Sequence, residues 1–557
     1  MVDLDLQQRN KRWFLMTDLT KLLFPNLKYT REELLNKYKR REDDLVVTRL
    51  APSPTGFLHI GGVYTALINE HIAHENNGVF MLRIEDTDKK REQDGAISII
   101  CEVFKRLGIK VDEGVIEEDN EIGSYGPYVQ SKRVDIYHTF AAYLCEKGLA
   151  YPAFETEEEL SKLHEMQQQE KAFPGYYGKW AKSRELSFEE VKEKINSGIP
   201  YVLRFKTPAS EPERIKINDL IKGDIEMDNN ITDFVLLKAD GVPTYHFAHA
   251  VDDYLMGTKY VIRGDEWISS LPIHIQLFKY LDFKAPQYAH VAPVMKQDGE
   301  SRRKLSKRKD PESNAMYYIE KGYPIKALYV YLYTLINSNF EEWYINNPDK
   351  DINEFEFKFE NMGVSGPLYD LEKLDSISRE IIYSTDIDTN VKNLLSWANE
   401  FDKELYERLT SDVSFVTNIF KTQGPDSKEH RKDLACYSDF MKEFGFLYDD
   451  VFHKEDNRKK LLEENVNPDN LEMLKSAYIN YFEELKNGSL KTMKDLAKEL
   501  GYTDKKKYEK NPEAYKGMFP EFYHCLRILV TNKTSGISMD DVCDVLGVDE
   551  VIKRIGE

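Results

Sequence analysis

The stretch Arg49-Leu-Ala-Pro-Ser-Pro-Thr-Gly-Phe-Leu-His59-Ile-Gly-Gly62 decides the fold. Just before it, Leu45-Val-Val-Thr48 is a β-branched run that reads as a strand, and Pro52, Pro54 and Gly56 break it. Tyr64, Leu67, Ile68 and Ile72 then recur at helical spacing up to Gly78, and Val79-Phe-Met-Leu-Arg-Ile84 supplies a second strand. Strand, Gly-rich turn, helix and strand make a βαβ unit. Its turn leaves backbone N–H groups and the positive end of a helix where a phosphate can bind. The turn lacks the Gly-Lys-Ser/Thr ending of a P-loop and the Gly-x-Gly-x-x-Gly dinucleotide fingerprint. It carries a histidine instead, placed to donate to a phosphate oxygen, while Gly61 and Gly62 let an adenine or ribose approach the backbone. Read alone, His-Ile-Gly-Gly serves equally as a plain strand-to-helix turn with an exposed histidine.

The flanking residues separate these readings. The run from Arg49 to Gly62 resembles the first motif of the class I aminoacyl-tRNA synthetases, and Ala-Pro-Ser-Pro-Thr-Gly resembles the glutamyl-tRNA synthetases in particular. Two further strand ends carry polar clusters. Arg83-Ile-Glu-Asp-Thr-Asp88 closes the second strand with three carboxylates, where ligands of open α/β sheets bind; acidic capping of a helix starting near Asp94 is the alternative for Asp86 and Asp88. Lys259-Tyr-Val-Ile-Arg263 ends at Gly264-Asp-Glu-Trp267, and an arginine beside a glycine there suits bidentate carboxylate binding, a structural ion pair being the default for one isolated arginine. Lys304-Leu-Ser-Lys-Arg308 resembles the second class I motif, Lys-Met-Ser-Lys-Ser, with Leu in place of Met and Arg in place of the last Ser, and its lysines can neutralise charge on a leaving pyrophosphate.

The resemblance implies roles residue by residue. Arg49, Ala51, Ser53, Glu85, Tyr245, His249 and Arg263 would form the glutamate pocket, with Glu85 on the amino group; relatives often carry asparagine at the position of His249. His59, Gly61, Gly62, Glu266, Lys304, Ser306 and Lys307 would hold ATP, Glu266 beside the ribose, and His59, Lys304 and Lys307 would act in catalysis. Mg²⁺ would accompany ATP.

Composition sets bounds on this. The 557 residues with 41% hydrophobic content can bury several cores, and length alone suggests three to five domains. The net charge of -20 speaks against a nucleic-acid partner at first sight, yet Ser301–Lys309 holds six basic residues in nine positions. Smaller clusters at Lys37 to Arg41, Glu429 to Lys432 and Lys505 to Lys510 read as solvated surface. Five scattered cysteines form no Cys-x-x-Cys, and Cys101 falls on one apolar helical face with Ile97, Ile100 and Phe104. No apolar run approaches about 20 residues and the N-terminus lacks signal-peptide order, so a cytoplasmic protein with no membrane partner is expected.

Six segments follow. Residues 1–44 are an extension whose Trp13, Phe14, Leu22, Leu23, Phe24 and Leu35 can pack as short helices on the body. Residues 45–144 form the first half of the nucleotide fold. Residues 145–235 read as an α+β insertion with strands at Tyr201–Lys206 and Thr232–Lys238, the second turning at Asp240-Gly241. Residues 236–320 resume the α/β rhythm and hold the basic loop, 321–390 would contact the tRNA stem, and 391–557 is rich in Leu, Lys and Glu at helical spacing. By resemblance the insertion clamps the acceptor end of tRNA and the helical region binds the anticodon. Where some bacterial glutamyl enzymes carry a Cys-x-Cys half of a zinc site, this chain has Ala153 and Glu155, so no structural zinc is expected and no metal ligands are assigned.

The fold class is thus an α/β Rossmann-like class I synthetase domain with an α+β insertion and an all-α anticodon-binding region. The expected activity is ATP-dependent attachment of L-glutamate to tRNA(Glu), with tRNA(Gln) left open, by a monomer. A glutaminyl enzyme is the near alternative, disfavoured by Arg83–Asp88 and by a helical rather than β-barrel C-terminus. A non-catalytic tRNA- or amino-acid-binding paralogue is the other, disfavoured by the presence of His59 and Lys307. A truncated enzyme acting on a modified tRNA base would lack the helical third.

Overall fold

The N-terminal extension docks through α1 (Arg31–Lys37), which Thr30 and Glu33 close with a capping box. Its Leu34 and the following Tyr38 are buried in one cluster with Leu23, Tyr137, Phe140, Phe247 and Phe278. Arg41 continues the attachment by donating to the Met256 carbonyl oxygen at 2.8 Å and to both Glu113 oxygens. The computed structural model describes residues 17–425, 427, 429–454 and 457–557; the expected packing of Trp13 and Phe14 lies outside them. The described residues divide into two units, one spanning 17–317 and 332–369, the other 318–331 and the described part of 370–557.

In the first unit, β1 (Val47–Leu50), α2 (Ile60–Glu75) and β2 (Val79–Leu82) realise the βαβ reading, with β1 and β2 parallel in the register Val47 to Val79. Val63, Ala66, Leu67 and Ile72 of α2 are buried, each large apolar side chain contributing on the order of 1.5–3 kcal/mol by leaving water. α3 (Ala96–Leu107) carries β2 to β3 (Glu113–Glu117), again parallel, and β4 (Asn120–Ile122) returns antiparallel as the edge. Cys101 is buried in α3, as its apolar face requires.

After α4 (Val134–Glu146) the insertion begins with β5 (Ala150–Ala153), α5 (Glu157–Glu170) and α6 (Phe188–Asn196), followed by β6 (Val202–Phe205). It then splits. β7 (Arg214–Asp219) and β8 (Gly223–Asp228) form a hairpin, while β9 (Val235–Leu237) joins β5 and β6 in a three-stranded sheet. The strand expected over Thr232–Lys238 shortens to β9 because the Asp233 carboxylate turns inward to accept from Tyr151 and the Thr207 N–H. The turn at Asp240-Gly241 forms, with Gly241 at φ +81°.

α7 (Tyr245–Leu255), β10 (Tyr260–Gly264), α8 (Leu271–Tyr280) and β11 (Gln287–Val291) rebuild the α/β pattern, β10 and β11 being parallel. The Lys259 N–H bond to the Val47 carbonyl oxygen sets the start of β10 beside that of β1, so the strand ends of both halves open on one crevice. The β7–β8 hairpin extends this second half-sheet by pairing with β11. β12 (Met295–Asp298) and β13 (Ser301–Lys304) make the antiparallel hairpin that presents the basic loop.

Among the described residues the second unit is helical from Leu371–Ser384 to Val548–Gly556, with one short strand pair at Tyr502–Thr503 and Gly517–Met518. Its core gathers Leu394, Phe440, Tyr478, Phe522 and Ile555. Among the described residues no helix is long and apolar enough to cross a membrane.

Candidate active site

A cleft of about 650 Å³ opens at the strand ends of β1, β2, β10 and β11. Arg49, Ala51, Ser53, His59, Gly61, Gly62, Glu85, Tyr245, Arg263, Glu266 and Lys304 all line it, although they come from five separate stretches of chain. His249, Ser306 and Lys307 stand outside this lining, each for a local reason given below.

His59 ends the loop after β1 and caps α2. Its Nδ1 accepts the Gly61 N–H at 2.9 Å, and its Nε2 donates to the Leu305 carbonyl oxygen at 3.2 Å. Glycine at 61 has a steric cause, since a Cβ there would lie 3.0 Å from Nδ1. Burial lowers the His59 pKa, so the ring is a neutral donor through Nε2. The His-Ile-Gly-Gly turn therefore carries a partly buried, committed histidine rather than an idle exposed one.

The basic loop is pinned by Asp310. Its carboxylate receives Arg303 at Nη1 and Nη2, Lys296 at 3.0 Å and the Ser306 N–H at 2.8 Å. The Arg303 guanidinium first, then the Ser306 N–H and Lys296, hold Asp310 far below the usual carboxylate range against a burial cost. Ser306 gives its backbone N–H to Asp310, and its hydroxyl oxygen accepts the Arg308 N–H at 3.4 Å. Lys304 spans the mouth to Glu266, 3.3 Å away, and Lys307 donates to the Phe57 carbonyl oxygen at 2.8 Å while lying over the Phe57 ring. Partial burial there lowers its pKa.

Beneath the cleft three arginines meet three acids. Arg49 donates from Nε and Nη2 to Asp253 at 3.1 Å; Arg83 reaches Asp253 at 2.7 Å and Glu85 at 3.1 Å; Arg133 reaches Asp252 at 2.7 Å. Burial pushes Asp253 up, but Arg49, Arg83 and His249 more than reverse this and leave it well below its ordinary value. Glu85 goes the other way: burial pushes it up to about 7, with Arg83 and Arg49 pulling it only part of the way back. Asp86 accepts the Ser131 N–H and Asp88 pairs with Arg91, so neither caps α3, whose N-cap is Gly95. His249 is wholly buried one layer behind the wall, with Nδ1 2.9 Å from Asp253 and Nε2 3.2 Å from Tyr288; burial lowers it to about 3.

Arg263 is held differently. Nη1 donates to the Tyr245 hydroxyl at 3.0 Å, Nε to His290 Nε2 at 3.1 Å, and Nη2 to the Trp267 carbonyl oxygen and His274 Nδ1 at 3.3 Å. Every acceptor is uncharged: burial lowers both His274 and His290. Among the described residues no carboxylate lies within 4.0 Å of this guanidinium, whereas Asp253 directly neutralises Arg49. Asp253, His274 and His290 were not singled out from sequence, although adjacent acids in the apolar helix α7 do signal buried counter-charges.

Ala153 and Glu155 do not fit a zinc site. Ala153 offers only a methyl group, and Glu155 Oε1 already accepts the Ser183 N–H at 3.0 Å and hydroxyl at 2.8 Å.

Comparison with known proteins follows the same lines. The family described as "tRNA synthetases class I (E and Q), catalytic domain" matches residues 45–362, and "Anticodon binding domain" matches residues 391–557. A glutamate–tRNA ligase of Clostridium perfringens strain 13 is 44% identical over 97% of this chain and 99% of its own. One from Clostridium beijerinckii is 42% identical over 96% and 98%. A crystal structure of a glutamate tRNA ligase from Elizabethkingia meningosepticum in complex with its amino acid superposes with a TM-score of 0.71 at 26% identity, covering 92% of this chain and 98% of that one.

Proposed function

Because the chain belongs to the class I tRNA synthetases for glutamate and glutamine, within the glutamate–tRNA ligases, we propose the following use of its cleft. The protein attaches glutamate to tRNA, with ATP as the family's activating substrate. In the first step the substrate α-carboxylate attacks the α-phosphorus of ATP, and pyrophosphate leaves with the bond electrons. In the second a hydroxyl of the terminal tRNA ribose attacks the adenylate carbonyl carbon, and AMP leaves.

The chain supplies position and charge rather than a covalent nucleophile. His59 Nε2–H is turned from Leu305 to a phosphate oxygen; Gly61 and Gly62 admit the nucleotide; Glu266 takes the ribose. Lys304 and Lys307 meet the charge that builds on the leaving pyrophosphate, Ser306 fixing the loop between them. Mg²⁺ carried by ATP would add further neutralisation of the phosphates. On the amino-acid side Glu85 takes the ammonium, Ala51 and Ser53 shape the wall, and Tyr245 donates its remaining hydroxyl proton. Arg49 and Arg263 each face a substrate carboxylate, with His249 steadying Arg49 through Asp253. The tRNA read by the helical unit is that for glutamate.

The observation that carries this reading is the uncompensated charge of Arg263 at the cleft wall. A buried guanidinium with only neutral partners favours an anionic ligand group, and glutamine lacks the second carboxylate. AMP release in the presence of tRNA, measured with glutamate against glutamine, tests it. A preference for glutamate on the order of 10⁴-fold is expected, and comparable use of glutamine contradicts the pocket.

A further inference from the structure

Asp219 and His290 lie behind Arg263, and the chemistry above gives neither a task. Asp219 closes β7, His290 sits in β11, and both are buried, at 1% and 0% exposure. Asp219 Oδ2 receives the Nδ1–H of His290 at 2.6 Å and its backbone N–H at 3.1 Å. Oδ1 accepts the N–H groups of Ile221 at 3.0 Å and Lys222 at 2.8 Å. With the Nδ1 proton committed to the carboxylate, Nε2 of His290 is left as a bare acceptor, and Nε–H of Arg263 points to it at 3.1 Å.

We propose that Asp219 and His290 are a positioning pair for glutamate binding: Asp219 fixes the imidazole in the tautomer whose Nε2 accepts from Arg263, and this sets the plane of the guanidinium. The proposal rests on the reading of Arg263 as a carboxylate-binding residue. Tyr245, Trp267 and His274 hold the two terminal nitrogens, and His290 at Nε holds the remaining edge of the planar group. The opposite tautomer would set one N–H against another. Among the described residues His290 is the only basic side chain within 4.0 Å of the Asp219 carboxylate. A carboxylate buried beside a neutral imidazole is a costly arrangement, and its effect is to orient that ring. The hairpin β7–β8 comes from the insertion, so the pair also ties the amino-acid pocket to a segment far from it in sequence.

Steady-state kinetics on the full chain test the pair. Asp219→Asn keeps Oδ1 for the two turn N–H groups but presents an amide donor to Nδ1, which moves the ring proton to Nε2 and against Arg263; the same logic governs the aspartate of a serine-protease triad. The KM for glutamate should rise at least about tenfold with the KM for ATP unchanged. His290→Gln keeps an acceptor near Nε2 and has no tautomer to set, so it should stay within about threefold of wild type, and adding Asp219→Asn to it should change little. A purely structural Asp219 would act equally in both backgrounds. An equal rise in both, a parallel rise in the KM for ATP, or no rise in the histidine background overturns the proposal. If Asp219→Asn does not fold, His290→Leu against His290→Gln replaces it, and equal KM values for glutamate are the contrary result. Arg263→Lys separates the two layers. If it leaves the KM for glutamate at the wild-type value, the reading of Arg263 fails; if it raises the KM while Asp219→Asn does not, only the positioning pair fails.

Discussion

His59 donates from Nε2 to the carbonyl oxygen of Leu305 at 3.2 Å, joining two residues 246 positions apart. The bond couples the turn after β1 to the basic loop, so the group that would meet a phosphate oxygen and the lysines that would meet pyrophosphate are positioned together.

Lys307→Ala is expected to cut amino-acid activation by about 10²- to 10³-fold, the loss typical of one transition-state charge donor, with little change in stability because its ammonium is held by one backbone carbonyl oxygen and one ring, both of Phe57, among the described residues. His59→Ala should cut activation similarly, with a further loss of about 1 kcal/mol of stability because the ring caps α2. Pyrophosphate release measured with saturating substrates checks both, and rates within a few fold of wild type for the pair would remove the mechanism.

Arg49→Ala and Arg263→Ala should each raise the KM for glutamate at least about tenfold, as expected for one charge-assisted hydrogen bond. They should differ in stability. Removing Arg49 leaves Asp253 with Arg83 and His249, and about 3 kcal/mol is expected, the low end for breaking a buried pair. Removing Arg263 strips only neutral acceptors and should cost about 1–3 kcal/mol. Urea unfolding beside glutamate kinetics measures both; a wild-type KM in either variant makes that arginine structural.

Much of this site was legible because its parts are strand-end motifs: Arg49, His59, Glu85, Arg263 and Lys304 each sit in a short stretch whose residue types state a purpose. The three-arginine, three-acid network was not legible. Arg49 and Asp253 are 204 positions apart, and β7 pairing onto β11 brings Asp219 to His290 across 71. The insertion was read as one segment, whereas its β7–β8 hairpin belongs to the catalytic sheet, because register between distant strands leaves no local trace.

The proposed pairing of Glu85 with the substrate ammonium predicts that glutamate binding depends on pH. Its pKa, pushed up to about 7 by burial, means that the empty site loses its carboxylate charge below neutrality, and a neutral acid cannot pair with the substrate ammonium. The KM for glutamate should fall as pH rises from about 6 to 8, and Glu85→Gln should raise the KM and flatten the profile. The folding linkage has the opposite sense. A carboxyl whose pKa is raised on folding binds its proton more tightly in the native state, so stability declines as pH rises from 4.5 to about 7. A flat KM profile in the wild type contradicts the role of Glu85.

The purified protein should contain no structural zinc, since Ala153 and Glu155 offer one occupied carboxylate in place of two thiolates. Elemental analysis finding one zinc per chain, lost together with activity on chelation, is the contrary result.

Charging of purified tRNA with labelled amino acid, in the presence of ATP, tests the central claim most directly. Labelled glutamate should become attached to tRNA(Glu) by the wild-type protein, and the attachment should be lost in Lys307→Ala at matched times. Glutamine should remain unattached at equal concentration. Failure to charge tRNA(Glu) with glutamate, or charging by glutamine at a comparable rate, would contradict it.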